Sequence, residues 1–324
     1  MKAVIYENYG PPEVLKIAEV EKPVITDNEV LVKVYASAVT VGDIRVRKAD
    51  PFLARVFNGL LKPKKKILGM NFSGKVEECG QKVKQFHTGD FVFGSTEFEF
   101  GTYAEYLKIR EDKVITRMAT NMSFEEAAVI PFGTLTSLHF LRKGKVEKGK
   151  KVLIYGASGS LGTAGVQLAR YFETEIIAVC GTKNLELVKL LGADHVVDYK
   201  KENFTERNEK YDIIYDAVGK SPFSDCINCL ADDGYYLRSV HMGLLPILRG
   251  IWTKITSHKN IIGGISVERQ EDLEFLKGLY EKGKFKPVLD RVYSVDQAVE
   301  AHRYVETGHK KGNVALLFHK RENT

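Results

Sequence analysis

The sequence predicts an α/β protein in which a doubly wound parallel sheet is inserted into a mostly antiparallel β domain. Three observations carry this. From Lys2 to about Thr120, short β-branched runs at 3–6, 30–35, 74–77, 91–93 and 103–107 are broken by Gly, Pro, Asn and Asp, an antiparallel texture. After Ser123, apolar strands alternate with amphipathic helical stretches, which is how a parallel sheet with crossover helices reads. The last apolar run, 314–318, has no helix of its own, so it is expected to return to the N-terminal sheet. The domains are therefore drawn as 1–122 with 266–324, and 123–265 inserted between them.

Within the inserted region, strands are expected at 152–155, 176–179, 196–197, 213–215, 235–237 and 261–262, enough for one doubly wound sheet. The first crossover helix aligns Leu161, Ala164, Gly165, Leu168, Ala169 and Phe172 on one face. Ser123 with Glu126, and later Ser294 with Gln297, have capping-box spacing. Two further helical patterns, Leu273-Leu276-Leu279-Tyr280 and Ala298-Ala301-His302-Val305, stop at Gly283 and Gly308.

Composition excludes several classes. The chain has 324 residues, and its charge of +6 is mild for that length, so charge alone does not indicate a nucleic-acid binder. Its four cysteines are too few and too scattered for a secreted disulfide framework. The uncharged run 127–141 is shorter than the ~18 residues a membrane helix needs. Lys2 and Glu7 interrupt the start before a signal-peptide core could form, and a cytoplasmic protein is expected. Two basic runs, Lys62-Pro63-Lys64-Lys65-Lys66 and the stretch 249–259, read as solvated loops, with nucleic-acid binding as the competing use.

The strongest motif is Gly156-Ala157-Ser158-Gly159-Ser160-Leu161-Gly162, set between a strand and a helix. Glycines there permit a tight turn and leave no Cβ in the way of a pyrophosphate, while the helix N-terminus offers unpaired N–H groups to the anion. A dinucleotide site follows. At the end of the second strand, NAD binders place an acid to hold the ribose 2′-hydroxyl. This chain has Cys180-Gly181-Thr182-Lys183-Asn184, where Lys183 can pair with a 2′-phosphate, so NADPH is expected rather than NADH.

Taken together, Gly89-Asp90-Phe91-Val92-Phe93-Gly94, Gly133-Thr134-Leu135-Thr136, the glycine loop, Leu191-Gly192-Ala193-Asp194, Asp216-Ala217-Val218-Gly219 and Gly308-His309-Lys310-Lys311-Gly312 resemble the medium-chain dehydrogenase/reductase superfamily, and within it the zinc-independent quinone oxidoreductase, zeta-crystallin-like branch. The likeness spans nearly the whole chain. It implies a Rossmann domain inserted into a GroES-like catalytic domain, with substrate and nicotinamide in the cleft between them, and a homodimer formed through the edge of the Rossmann sheet.

The resemblance also bears on zinc. Where zinc-dependent relatives carry metal ligands, this chain has Thr40, Met70-Asn71 and Phe132, and no ligand set survives. An isolated Cys226-Ile227-Asn228-Cys229 reads as packing. Without a Lewis acid to hold an alkoxide, the chemistry implied is NADPH-dependent hydride delivery to a quinone or an α,β-unsaturated carbonyl. The alternative is an NADPH-binding nucleic-acid-binding or crystallin-like structural protein with little turnover.

By residue-wise likeness, Thr40 and Thr136 fall on the nicotinamide side, Gly156, Ser158, Gly159, Ser160, Leu161 and Gly162 form the pyrophosphate loop, and Gly181, Thr182, Lys183 and Tyr199 form the 2′-phosphate pocket. Val218, Gly219 and Val240 would line the cofactor trough. Many relatives carry Asn at Thr40, Tyr at Arg45, Asp at Asn71 and Lys at Asn313, and Thr40, Arg45, Asn71 and Tyr103 are the substrate-side candidates. No dedicated acid or base is named: Tyr103, Asp43 and His241 are candidates by type, and solvent can supply the proton. The stretch 241–260, with the single tryptophan, reads as a substrate lid or a subunit contact.

Overall fold

A computed structural model describes residues 1–52, 54–239 and 257–319, so Val240, His241 and most of the apolar stretch 241–260 lie outside the described residues. The chain divides into two compact units: Met1–Phe132 with Arg269–Glu281 and Lys286–Thr324, and Gly133–Glu268 with Lys282–Phe285.

The first unit is built on a sheet in the order Leu289–Ser294, Asn313–Leu317, Glu29–Ala38, Asn71–Cys79, Phe91–Ser95, Ile115–Arg117, with Tyr106–Arg110 also on Glu29–Ala38. The first pair is parallel and the other pairings are antiparallel. The final strand does return to the N-terminal sheet, with Ala315 opposite Ala38. Val30, Val32 and Val34 alternate onto one face with Phe72, Val76, Val92 and Ile115, as a period of two requires. The change of texture at residue 123 and the division at Phe132 differ by one helix, Phe124–Ile130. It is seated on this sheet: the Phe124 ring stacks on Tyr35 at 4.2 Å, and Ser73 Oγ donates to the Phe124 carbonyl at 2.6 Å. Ser123 and Glu126 close its capping box.

The second unit is a wholly parallel sheet in the order His195–Asp198, Glu175–Cys180, Lys151–Tyr155, Tyr211–Asp216, Leu230–Arg238, Asn260–Gly263. All six strands read from the sequence are present, each lengthened. The chain direction of winding reverses between Lys151–Tyr155 and Tyr211–Asp216, and the crevice at the carboxyl ends of those strands is where such sheets take ligands. On the helix Ser160–Tyr171, burial covers Ala164, Gly165, Leu168 and Ala169 as expected but spreads to Thr163 and Val166, while Leu161 and Phe172 stay half-exposed. The physical reason is a second neighbour: the helix Thr136–Lys143 packs on it, and Ser137 Oγ donates to the Leu161 carbonyl at 2.8 Å. Cys226 and Cys229 are free thiols in a core with Leu153, Ile177, Phe204 and Tyr211, and burial pushes Cys226 up to about 12.

In the first unit, His302 of the helix Ala298–Glu306 is fully buried with Nε2 3.2 Å from Tyr103 Oη. Burial, aided by the Arg47 guanidinium, lowers its pKa to about 3. An unfolded chain takes up that proton near pH 6.5 and the folded chain does not, so this stability is present above pH 6.5 and is lost as pH falls toward 3. We therefore predict that chemical denaturation of the parent and of His302→Gln shows the stability gap narrowing by about 2 kcal/mol from pH 7 to pH 5. A constant gap would contradict a neutral buried His302.

Candidate cofactor crevice and substrate corner

At the end of Lys151–Tyr155 the chain turns through Gly156, whose φ of +81° suits glycine. A Cβ on Gly156 would lie 2.5 Å from Val218 Cγ1, so this loop meets the loop after Tyr211–Asp216 at close quarters. Gly162 is equally restricted, because its Cβ would stand 2.2 Å from the Gly156 carbonyl oxygen. Gly159 differs. It is the cap position of the helix Ser160–Tyr171, has extended backbone and no side chain to cap the helix, and a Cβ there would meet nothing nearer than 3.8 Å. The first N–H groups of a helix have no partner within it, so Gly159 leaves space where an anion can approach them. The three glycines thus serve a turn, an approach and a packing contact in that order, and the crevice fits a pyrophosphate. Gly133 also packs here, its Cβ position 2.9 Å from the Ser160 carbonyl, and Thr136 Oγ1 lies 3.1 Å from Ser266 Oγ.

Three residues not singled out as site residues from the sequence hold this region in shape. Asp216 accepts hydrogen bonds from the backbone of Val218 at 3.2 Å, Gly219 at 2.7 Å and Ser221 at 3.1 Å, and from Tyr236 Oη at 3.2 Å. It therefore sets the path of the Val218–Gly219 turn. Asn184 Nδ2 donates to Ser158 Oγ at 3.0 Å, tying the glycine loop to the segment after Glu175–Cys180. Asp198 accepts from Thr182 Oγ1 at 2.6 Å, and that bond with Lys201 and Lys200 nearby holds its carboxyl below the usual range. Asp216 stands inside a motif quoted above, and for both aspartates a carboxylate at a strand's carboxyl end was the available signal. The structure brings Gly181, Thr182 and Tyr199 together: the Tyr199 ring lies 3.4 Å from where a Gly181 Cβ would be. Lys183 is exposed beside them, and Lys200 and Lys201 add positive charge.

In the first unit, Thr40 caps the helix Val41–Lys48. Its N–H and its hydroxyl both donate to Asp43 Oδ2, at 2.9 and 2.6 Å, and Asp43 N donates back to Thr40 Oγ1 at 3.2 Å. Asp43 Oδ1 accepts from Gly69 N at 3.0 Å. The Thr40 proton is therefore spent inside the fold. Asp43 is fully buried, and desolvation raises its pKa to about 6 against the pull of these bonds. Tyr103 donates to the Ala38 carbonyl at 3.3 Å; burial, then Asp43, raises its pKa well above the usual value, and it faces no solvent. Around Gly42 a Cβ would meet Met70 Cε at 2.6 Å, Thr40 Oγ1 at 3.2 Å and Phe132 Cε2 at 3.7 Å. A thioether, a committed hydroxyl and a phenyl ring are not a zinc ligand set, and the described residues contain no group of three His, Cys, Asp or Glu able to hold a metal. Asn71 is fully buried, and neither atom of its amide has a hydrogen-bond partner among the described residues. Arg45 is half-exposed on the capped helix.

Two substitutions separate the glycine roles. Gly159→Val fills the open approach, and we expect NADPH affinity to fall at least about tenfold with stability changed by less than about 0.5 kcal/mol. Gly162→Ala forces a contact with backbone and should cost more than about 2 kcal/mol of stability in a denaturant titration. Unaltered NADPH binding by the Gly159 variant would contradict the crevice assignment.

Comparison with known proteins agrees with this architecture. The family described as "Alcohol dehydrogenase GroES-like domain" matches residues 26–119, and that described as "Zinc-binding dehydrogenase" matches 191–316. The chain is 32% identical to 2-methylene-furan-3-one reductase of Solanum lycopersicum over 98% of its own length and 79% of that protein. It is 29% identical to NADPH-dependent alkenal/one oxidoreductase, chloroplastic, of Arabidopsis thaliana over the same shares. The solved quinone oxidoreductase from Coxiella burnetii superposes with a TM-score of 0.90 at 30% identity, covering 98% of this chain and 99% of that one. The zinc in one family's description finds no counterpart at Thr40, Met70, Asn71 and Phe132. With its crevice at the switch point of a parallel sheet and a corner without metal ligands, this chain belongs to the medium-chain dehydrogenase/reductase superfamily, in its zinc-independent quinone oxidoreductase branch.

Proposed function

We propose that the chain is an NADPH-dependent, zinc-independent reductase of quinones or α,β-unsaturated carbonyls. The observation that carries the reading is the corner around Gly42, where Thr40, committed to Asp43, stands with Met70 and Phe132 at positions that zinc-dependent relatives use for metal ligands. Such a corner offers no Lewis acid for an alkoxide, so the acceptor must already be electrophilic. When bound, the reduced nicotinamide supplies a hydride. A conjugated acceptor takes it at carbon, the electron pair passes through the π-system to the carbonyl oxygen, and water supplies the proton.

The chain's own residues bind and orient. The N-terminus of Ser160–Tyr171 receives the pyrophosphate past Gly159, Lys183 with Thr182 and Tyr199 receives the 2′-phosphate, and Val218 with Gly219 lines the trough on the turn that Asp216 holds. Asn71, fully buried and with no amide partner among the described residues, keeps only its substrate-side assignment. Thr136 keeps its nicotinamide-side assignment, whereas Thr40 acts through the cap that it forms with Asp43. We further infer a homodimer through an edge strand of the parallel sheet, His195–Asp198 or Asn260–Gly263, and a reducing compartment such as the cytoplasm, which the four free cysteines favour.

The test is a titration with NADPH followed by loss of the reduced-cofactor absorbance against ortho-quinones, para-quinones and enones. Turnover of at least one class is expected, and Lys183→Ala should cut the preference for NADPH over NADH at least about tenfold. Cofactor binding without turnover on any acceptor would overturn the enzyme reading in favour of a binding role, and an unchanged preference would remove Lys183 from the pocket.

A further inference from the structure

The loop after the short helix Ala54–Asn58 is held rigidly yet displays apolar side chains. Asn58 is buried; its Nδ2 donates to Tyr6 Oη at 2.7 Å, its Oδ1 accepts from Lys65 N at 3.0 Å, and its carbonyl accepts from Lys64 N at 2.6 Å. Tyr9 Oη donates to the Gly59 carbonyl at 2.7 Å. Between these anchors stand Leu60 and Leu61, 61% and 90% exposed. Arg55 joins them to an exposed ring, since its guanidinium lies 5.2 Å from the Phe52 ring and its Nη1 reaches the Leu60 carbonyl at 3.4 Å. Lys65 joins a second, its Nζ donating to the carbonyl of exposed Phe98 at 2.6 Å.

Cations follow directly on the leucines: Lys62, Lys64, Lys65 and Lys66 are all exposed. The acids nearby are Glu7, which pairs with Lys16 at 2.6 Å and Lys66 at 3.8 Å, Glu97 and Glu99 beside Phe98, and exposed Asp50 two residues before Phe52. Lys62 and Lys64 close no ion pair among the described residues. Aliphatic side chains fixed in an outward position beside a cationic row have the composition of a surface that inserts shallowly between headgroups while its lysines meet lipid phosphates. A nucleic acid would use the lysines but has no place for Leu60 and Leu61.

We propose that Phe52, the loop 60–66 and Phe98 form a docking surface for an anionic lipid bilayer. The test is co-sedimentation of the full chain with vesicles of phosphatidylcholine alone and of phosphatidylcholine with phosphatidylglycerol, at low and high salt. Strong partition is expected into the anionic vesicles at low salt, weakening with salt. Leu60→Ser/Leu61→Ser and, separately, Lys62→Glu/Lys64→Glu should each lower that partition at least about tenfold while keeping the parent's unfolding midpoint, because all four side chains are exposed. Absence of partition, or partition that the leucine variant leaves unchanged, overturns the proposal. So does an RNA that displaces the protein from vesicles and binds the leucine variant as tightly as the parent, an outcome that would assign the lysines to nucleic acid.

Discussion

A carboxylate with no access to solvent organises the first unit. Asp43 receives the N–H and hydroxyl of Thr40 and the N–H of Gly69, and so joins the start of the helix Val41–Lys48 to the segment that leads into the strand Asn71–Cys79. A buried charge is costly unless its oxygens are satisfied, and three donors from two segments satisfy this one. Gly69 can bring its N–H to the carboxylate because it adopts φ +87°, and a Cβ there would collide with Thr102 Oγ1 at 2.2 Å. Met70 and Asn71 follow immediately, so their positions depend on the same anchor.

That anchor has a chemical consequence. Zinc-dependent members of the superfamily need thiolate, imidazole or carboxylate at the corner that Thr40, Met70 and Phe132 occupy here. The one carboxylate in this corner is already consumed by backbone and hydroxyl donors, and Met70 lies against Gly42. The corner is thereby apolar and closed around a capping pair. Its counterpart in the second unit is polar and open, with Gly159 at a helix N-terminus and cations beside Tyr199. The second unit offers receptors for a dinucleotide's phosphates, and the first holds no metal-ligand set at this corner among the described residues, features that suit hydride delivery to a conjugated carbonyl better than metal-assisted alcohol oxidation.

Much of this was legible in the residues. The six parallel strands and the glycine loop announce themselves through local pattern, since β-branched runs and glycine spacing act over a few residues. The return of the last strand followed from its lacking a helical partner. Contacts between distant segments were not legible: nothing local says that Asn184 reaches Ser158 or that Thr182 binds Asp198. Thr40 is the instructive case. Likeness to relatives placed it on the nicotinamide side, yet Thr40-Val41-Gly42-Asp43 also has the spacing of a capping box, and the structure shows both halves of that box closed. The spacing was there to be read, and it assigns the hydroxyl to the fold.

The central claim is that the Asp43 corner works without a metal, and it is tested most directly by measuring metal content and reductase activity on the same purified sample before and after chelation. The account predicts NADPH-dependent reduction of a quinone or enone by protein carrying far less than one zinc per chain, with the rate unchanged by the chelator. Stoichiometric zinc that the chelator removes together with the activity would contradict it.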